Sequence, residues 1–134
     1  MPKFPSEEWA RQYVEKLNSS EAYLDSGKKW EGDITFVIQK DEGNPTDSFL
    51  YLDLYHGECR KYLYSANPDD VPKSEFRYIG KYSNWIKLIH SEIDPIKGVL
   101  TGKFKLEGSM MKIMRFSKAA KDMVNTATMV PFEG

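Results

Sequence analysis

The sequence predicts an α+β protein, with helices gathered on one face of a largely antiparallel sheet. Two observations carry this. Apolar residues recur at helical spacing before Trp30 and after Ser83, but alternate with a period of two in segments between Ile34 and Ile79. The alternating segments follow one another through turn-forming residues, while the helical segments lie on either side of them.

Ser6 precedes Trp9, Tyr13, Val14 and Leu17, which share one helical face. Ser6 is the expected N-cap, with Glu7 and Glu8 in the first turn where the helix dipole favours them. Asn18-Ser19-Ser20 interrupts this helix, and Glu21 to Ser26 forms a second, closed by Gly27. Ile34, Phe36 and Ile38 alternate with Asp33, Thr35, Val37 and Gln39, the pattern of a strand. Asp41 to Pro45 is turn chemistry. Phe49–Tyr55 and Glu58–Ser65 are two more strands, joined tightly at His56-Gly57. A loop from Asn67 to Pro72 leads to a fourth strand, Glu75–Ile79, completing an expected antiparallel run. Ser83 is the expected cap of a helix bearing Trp85, Ile86, Leu88 and Ile89. Asp94-Pro95 opens a short helix, proline standing where its missing N–H costs nothing. Gly102 ends that helix, Lys103–Glu107 alternates as a fifth strand, and Gly108-Ser109 opens a last helical region reaching Pro131.

The 134 residues fit one domain, 1–134, long enough to bury a core without disulfide, metal or cofactor. A net charge of -1 lacks the basic footprint of nucleic-acid binding. Cys59 is the only cysteine, which excludes an intrachain disulfide and suits a reducing compartment. The first nine residues have no apolar stretch of the signal-peptide kind, and no apolar run approaches the ~20 residues of a bilayer span. A cytoplasmic location is expected.

Phe76-Arg77-Tyr78-Ile79-Gly80, then Trp85-Ile86-Lys87-Leu88-Ile89, then the stretch from Asp94-Pro95 through Gly102-Lys103 to Gly108-Ser109-Met110 form an ordered set. That set resembles the sterol carrier protein type 2 family: a short strand, a tryptophan-led helix, and an aspartate-proline leading to an apolar helix, Gly-Lys, a strand and a second glycine. Trp30–Ile34 and Tyr51–Cys59 are similar to the free-standing prokaryotic members. The resemblance implies a five-stranded sheet under a helical layer, enclosing an apolar cavity for fatty acids, acyl-CoAs or sterol-like molecules, and a carrier rather than an enzyme.

The elements that would wall such a cavity follow one another with almost no connection between them. Ile96, Val99 and Leu100 lie on one helix, Phe104 and Leu106 on the last strand, and Met110, Met111, Ile113 and Met114 on the next helix. Phe36, Leu52, Trp85, Ile89 and Met123 complete the expected lining. Five of the six methionines fall in the last twenty-five residues. Flexible thioethers fill gaps in any core, and they also re-pack around ligands of different shape; the resemblance assigns them to the wall. Lys112, Arg115, Lys118 and Lys121 recur every three residues, which makes either a solvated face or a basic amphipathic surface for transient contact with an anionic membrane.

Asp53, His56 and Cys59 are near in sequence. A zinc site wants three or four good ligands, and a cysteine nucleophile wants a partner base. Turn and core roles are expected for all three, with an acyl-ester or acyl-CoA hydrolase using His56 and Cys59 as one alternative. An accessory interaction or substrate-presenting module is the other.

Overall fold

Ser6 caps the first helix as its position predicts. In the computed structural model, which describes residues 1–133, its hydroxyl accepts the Trp9 N–H at 3.1 Å and α1 (Glu7–Asn18) follows. This helix buries Trp9, Ala10, Tyr13, Val14 and Leu17, the face the spacing marks out. Ser20 caps α2 (Glu21–Ser26) in the same way.

Strands β1 (Glu31–Gln39), β2 (Ser48–Tyr55) and β3 (Glu58–Ser65) run antiparallel, with Ile34 opposite Leu52 and Phe36 opposite Leu50. His56 and Gly57 make the two-residue turn between β2 and β3, at φ 51 and 82. Both positive angles match the turn type whose twist suits a hairpin. A Cβ on Gly57 would stand 2.7 Å from the Leu24 carbonyl oxygen, so glycine also lets α2 press against this turn.

The fourth strand departs from the expected antiparallel run. β4 (Phe76–Lys81) does not pair with β3; it lies parallel to β1, with Phe76 beside Ile34 and Tyr78 beside Phe36. β5 (Phe104–Glu107) then adds antiparallel to β4, and the sheet order is β3-β2-β1-β4-β5. Pro68 and Pro72 in the connection cannot donate to a ladder, so β3 has no hairpin partner there. Asp33 and Thr35 of β1 supply the attachment instead: Asp33 accepts the Glu75 N–H at 2.7 Å, and Thr35 and Ser74 share a hydroxyl bond of 2.8 Å. The sheet is mixed but mostly antiparallel.

The register sets Ile34, Phe36, Leu52, Leu54, Tyr78 and Leu106 on one face. The other face of β1 is not solvated either: Thr35 and Val37 are both buried, and the connection through Ser74 crosses over it.

Helix α3 (Tyr82–Ile89) begins at Lys81 without a cap from its own segment. Ser83 lies inside the first turn rather than capping it. The Asp41 carboxylate, from the β1–β2 turn, accepts the Ser83 hydroxyl at 2.6 Å, and this bond holds the Asp41 carboxyl below its ordinary pKa. Asp94 caps α4 (Pro95–Leu100) by accepting the Ile96 and Lys97 N–H groups at 2.9 and 3.0 Å. The last helical region is two helices, α5 (Met110–Arg115) and α6 (Ser117–Thr128), parted at Phe116. At the ends of the described chain, Phe4 N–H donates to the Glu133 carbonyl at 3.2 Å and Glu133 N–H donates to the Pro2 carbonyl at 2.8 Å.

Candidate functional site

Between the sheet and the helices lies an internal cavity with about 80 Å³ open to a water-sized sphere. Ile34, Phe36, Leu54, Tyr78 and Leu106 are its floor, all on the face set by the strand register. Trp9 and Tyr13 come from α1, Trp85 and Ile89 from α3, Ile96 and Val99 from α4, Met110 and Ile113 from α5, and Ala119, Met123 and Ala127 from α6. Among the described residues, no carboxylate, ammonium, guanidinium or imidazole stands on this wall.

The polar atoms carried by the aromatic wall are mostly turned to backbone. Tyr13 donates its hydroxyl to the Met123 carbonyl at 3.1 Å, and Tyr78 donates to the Pro95 carbonyl at 2.7 Å. The Trp30 and Trp85 indoles donate to the carbonyls of Gly32 and Val37 at 2.8 and 3.0 Å. Burial pushes the hydroxyl pKa of Tyr13, Tyr23 and Tyr78 above the ordinary phenol range, so the wall is uncharged at neutral pH. Such a surface can hold a hydrocarbon body out of water, and offers no general base or nucleophile to a bound molecule.

Nine residues expected on the wall are there: Phe36, Trp85, Ile89, Ile96, Val99, Leu106, Met110, Ile113 and Met123. Five are not. Leu52 shares the floor's face but is sealed into the solid part of the core. Phe104 is locked behind the wall, stacked on Tyr78 at 4.6 Å and set edge-on to Trp85 at 5.3 Å. Glycine at position 80 makes room for it, since a Cβ there would come within 2.5 Å of its ring. Leu100, Met111 and Met114 point to solvent, 71%, 78% and 50% exposed. On six-residue helices, neighbours one position from a wall residue fall away from the wall's side.

The wall residues missing from the sequence reading include Trp9, Tyr13 and Trp30, the floor residues Ile34, Leu54 and Tyr78, and Phe116 with the α6 alanines. Trp9 and Tyr13 are legible as the apolar stripe of α1. That the stripe meets the cavity depends on how α1 packs.

The basic row is not one stripe, because the chain breaks at Phe116 between Arg115 and Lys118. Lys112 turns inward, donating to the Glu31 carbonyl at 2.6 Å and to the Glu75 carboxylate at 2.9 Å, with its ammonium 4.8 Å from the Trp30 ring centre. Lys118 pairs with Asp122 at 3.1 Å, while Arg115 and Lys121 are exposed.

Asp53, His56 and Cys59 face three different partners. Asp53 meets Arg60 at 3.2 Å, His56 meets Glu31 at 2.7 Å, and the Cys59 thiol donates to the Lys61 carbonyl at 3.3 Å. Burial pushes the Cys59 thiol up to about 11, which keeps it protonated at neutral pH.

The profile of the SCP-2 sterol transfer family matches residues 9–121. No curated protein sequence matches the chain. Among solved structures, that of a sterol carrier protein 2 is 26% identical with a TM-score of 0.87, over 96% of this chain and all of its own. A conserved hypothetical protein from Thermus thermophilus is 25% identical with a TM-score of 0.86, over 99% of this chain and 93% of its own. Sterol carrier protein 2 from Yarrowia lipolytica, at 18% identity and a TM-score of 0.60 over 96% of each chain, shares the fold. With the matched stretch running from α1 into α6 and so containing most of the cavity's wall, the chain belongs to the SCP-2 sterol transfer family.

Proposed function

We propose that this protein binds a lipid in its internal cavity and carries it, chemically unchanged, between membranes. The observation that carries the reading is the wall itself, apolar and aromatic throughout and without an ionised group. Apolar area removed from water stabilises a complex by about 25 cal/mol per Å². About 300 Å² of buried acyl chain thus supplies roughly 8 kcal/mol, the free energy of micromolar binding, before ordering costs are subtracted. The likeness to sterol carrier protein 2 supports the same reading.

The present room of about 80 Å³ holds several water-sized groups, each needing about 10–15 Å³. A long chain therefore requires the wall to give, and Met110 and Met123 are the side chains best suited to re-pack. An ionised headgroup finds no counter-charge on the wall and stays at its rim. Fatty acids, fatty acyl-CoAs and sterol-like molecules all fit this pattern, with the long body inside. Exposed Arg115 and Lys121 favour transient contact with an anionic membrane during loading.

Native mass spectrometry with lipid extraction, paired with titration of a fluorescent fatty acid, tests the proposal. Saturable binding in the micromolar range is expected. Folded protein that shows no saturable binding rules the carrier out.

A further inference from the structure

The cavity is not covered evenly. Its wall residues from α1 and α3, Trp9, Tyr13, Trp85, Leu88 and Ile89, are all buried. Those from α4, β5 and α5 are only partly buried, apart from Pro95: Ile96, Val99, Leu106, Met110 and Ile113. The cavity therefore lies nearest to solvent along α4, β5 and α5, with α6 packed against both helices. The four-residue β5, about 13 Å long, joins α4 to α5.

These same elements carry exposed apolar side chains and cations together. Leu100 ends α4, and Met111 and Met114 stand on α5, all at least half exposed. From α4 to the end of α5 there are five lysines and arginines and one acid, Glu107, in a chain of net charge -1. Glu107 is paired with Arg77 at 3.3 Å, and Asp94, just before α4, is turned onto the helix N–H groups. Among the described residues, Lys97, Lys103 and Arg115 are exposed and have no carboxylate within ion-pair distance. Leu24 on α2 makes the contrast: it is 56% exposed, but its neighbours on that helix are Glu21 and Asp25. Apolar groups set among unpaired cations match an anionic bilayer, whose phosphates take the cations while its acyl boundary takes the apolar groups. A protein partner would need a pocket for each of three side chains on two helices. A bilayer needs no such match.

We infer that the α4–β5–α5 side is the face that docks on an anionic bilayer. Leu100, Met111 and Met114 enter the acyl boundary, and Lys97, Lys103 and Arg115 lie at the headgroups. Docking in this way sets the least covered side of the cavity against the membrane, so a lipid passes between the two without crossing bulk water. That passage rests on the reading of the cavity as a lipid site; the docking does not.

Flotation with vesicles of phosphatidylcholine, alone or mixed equally with phosphatidylglycerol, tests the face. The wild type is expected to partition about tenfold or more in favour of the anionic vesicles at low salt, a preference that shrinks as salt screens the cations. Leu100→Gln, Met111→Gln and Met114→Gln combined are expected to weaken that partition about tenfold, and Leu24→Gln by less than about twofold. None of the three lines the cavity, so the triple variant keeps its affinity for the fluorescent fatty acid within about twofold. A polarity-sensitive dye on Met111→Cys, in a Cys59→Ala background, is expected to shift to the blue on anionic vesicles, and the same dye on Leu24→Cys is not. Equal dye shifts at the two positions, or a triple variant that partitions like the wild type, overturn the docking face. Folded wild type that ignores both kinds of vesicle overturns it too, and leaves the patch to a protein partner. Vesicle docking without saturable uptake of the fluorescent fatty acid upholds the face and overturns the cavity reading instead.

Discussion

Ala119 is a small side chain on the cavity wall, 5% exposed, where added carbons would enter the space a ligand needs. Overpacking a filled core usually costs about 1–3 kcal/mol, but a void absorbs the new atoms without that strain. Ala119→Leu is therefore expected to leave the melting temperature within a few degrees while weakening ligand binding at least tenfold. Thermal melts and the fluorescent titration check both halves, and a large loss of stability would show the site already full. Leu100→Arg makes the contrast, since an exposed arginine stays solvated: stability changes by less than about 0.5 kcal/mol and binding is retained. Cys59 gives a pH prediction. Its folded pKa, about 11, lies above that of the unfolded thiol, so the unfolded chain loses this proton first. The associated stability is fully present below about pH 9 and is lost as pH rises toward 11, on the order of 2 kcal/mol. Buried Tyr13, Tyr23 and Tyr78 shift in the same direction and add to the decline from about pH 10 upward. Urea melts at about pH 8, 9.5 and 11 should show it, with a shallower fall in Cys59→Ala; a flat profile refutes it.

Helix α5 contributes Met110 and Ile113 to the wall, buries none of its residues fully and is tied to the sheet chiefly through Lys112. That ammonium bridges the Glu31 carbonyl and the Glu75 carboxylate while lying over Trp30. A part-exposed ion pair contributes about 0.2–1 kcal/mol and a cation–π contact about as much. Lys112→Gln should accordingly speed amide hydrogen exchange across 109–116 by about fivefold or more, leaving β1 and β2 unchanged, because local opening responds to local contacts. Exchange that is unaltered in α5 would mean the helix is held by its apolar side alone. The caps show what is readable at this scale. Ser6, Asp94 and Ser109 act within their own segments, so spacing alone identifies Ser6 as a cap and marks Asp94 and Ser109 as helix starts. The α3 start is misplaced by the sequence because the oxygen that serves its first turn comes from Asp41, forty-two residues away. The cation row fails for a related reason. A three-residue recurrence implies one face only while the helix continues, and the backbone turns at Phe116.

At the scale of the molecule, the five strands are legible from periodicity and their order is not. Alternation states that a segment is a strand; it does not state which strand lies beside it. β4 reads as the successor of β3, yet its partner is β1, chosen by Asp33 and Thr35 acting on the segment before it. The cavity divides in the same way. Apolar faces on β1, α3, α4, β5, α5 and α6 are visible and nine wall residues follow, but the outward turn of Leu100, Met111 and Met114 depends on how short helices are rolled against the sheet. Pro2 and Phe4 share backbone hydrogen bonds with Glu133, so the two ends of the described residues lie side by side. The polypeptide is one short join away from a closed ring, and a ring can be reopened elsewhere. The turn at Gly43-Asn44 suits a cut, because Asp41 stays with its own strand and keeps its bond to Ser83. A circular permutant linked by a few glycines and reopened there is expected to fold, by circular dichroism, and to bind the fluorescent probe within about threefold of the parent affinity. Its new ends would then stand at the hairpin tip.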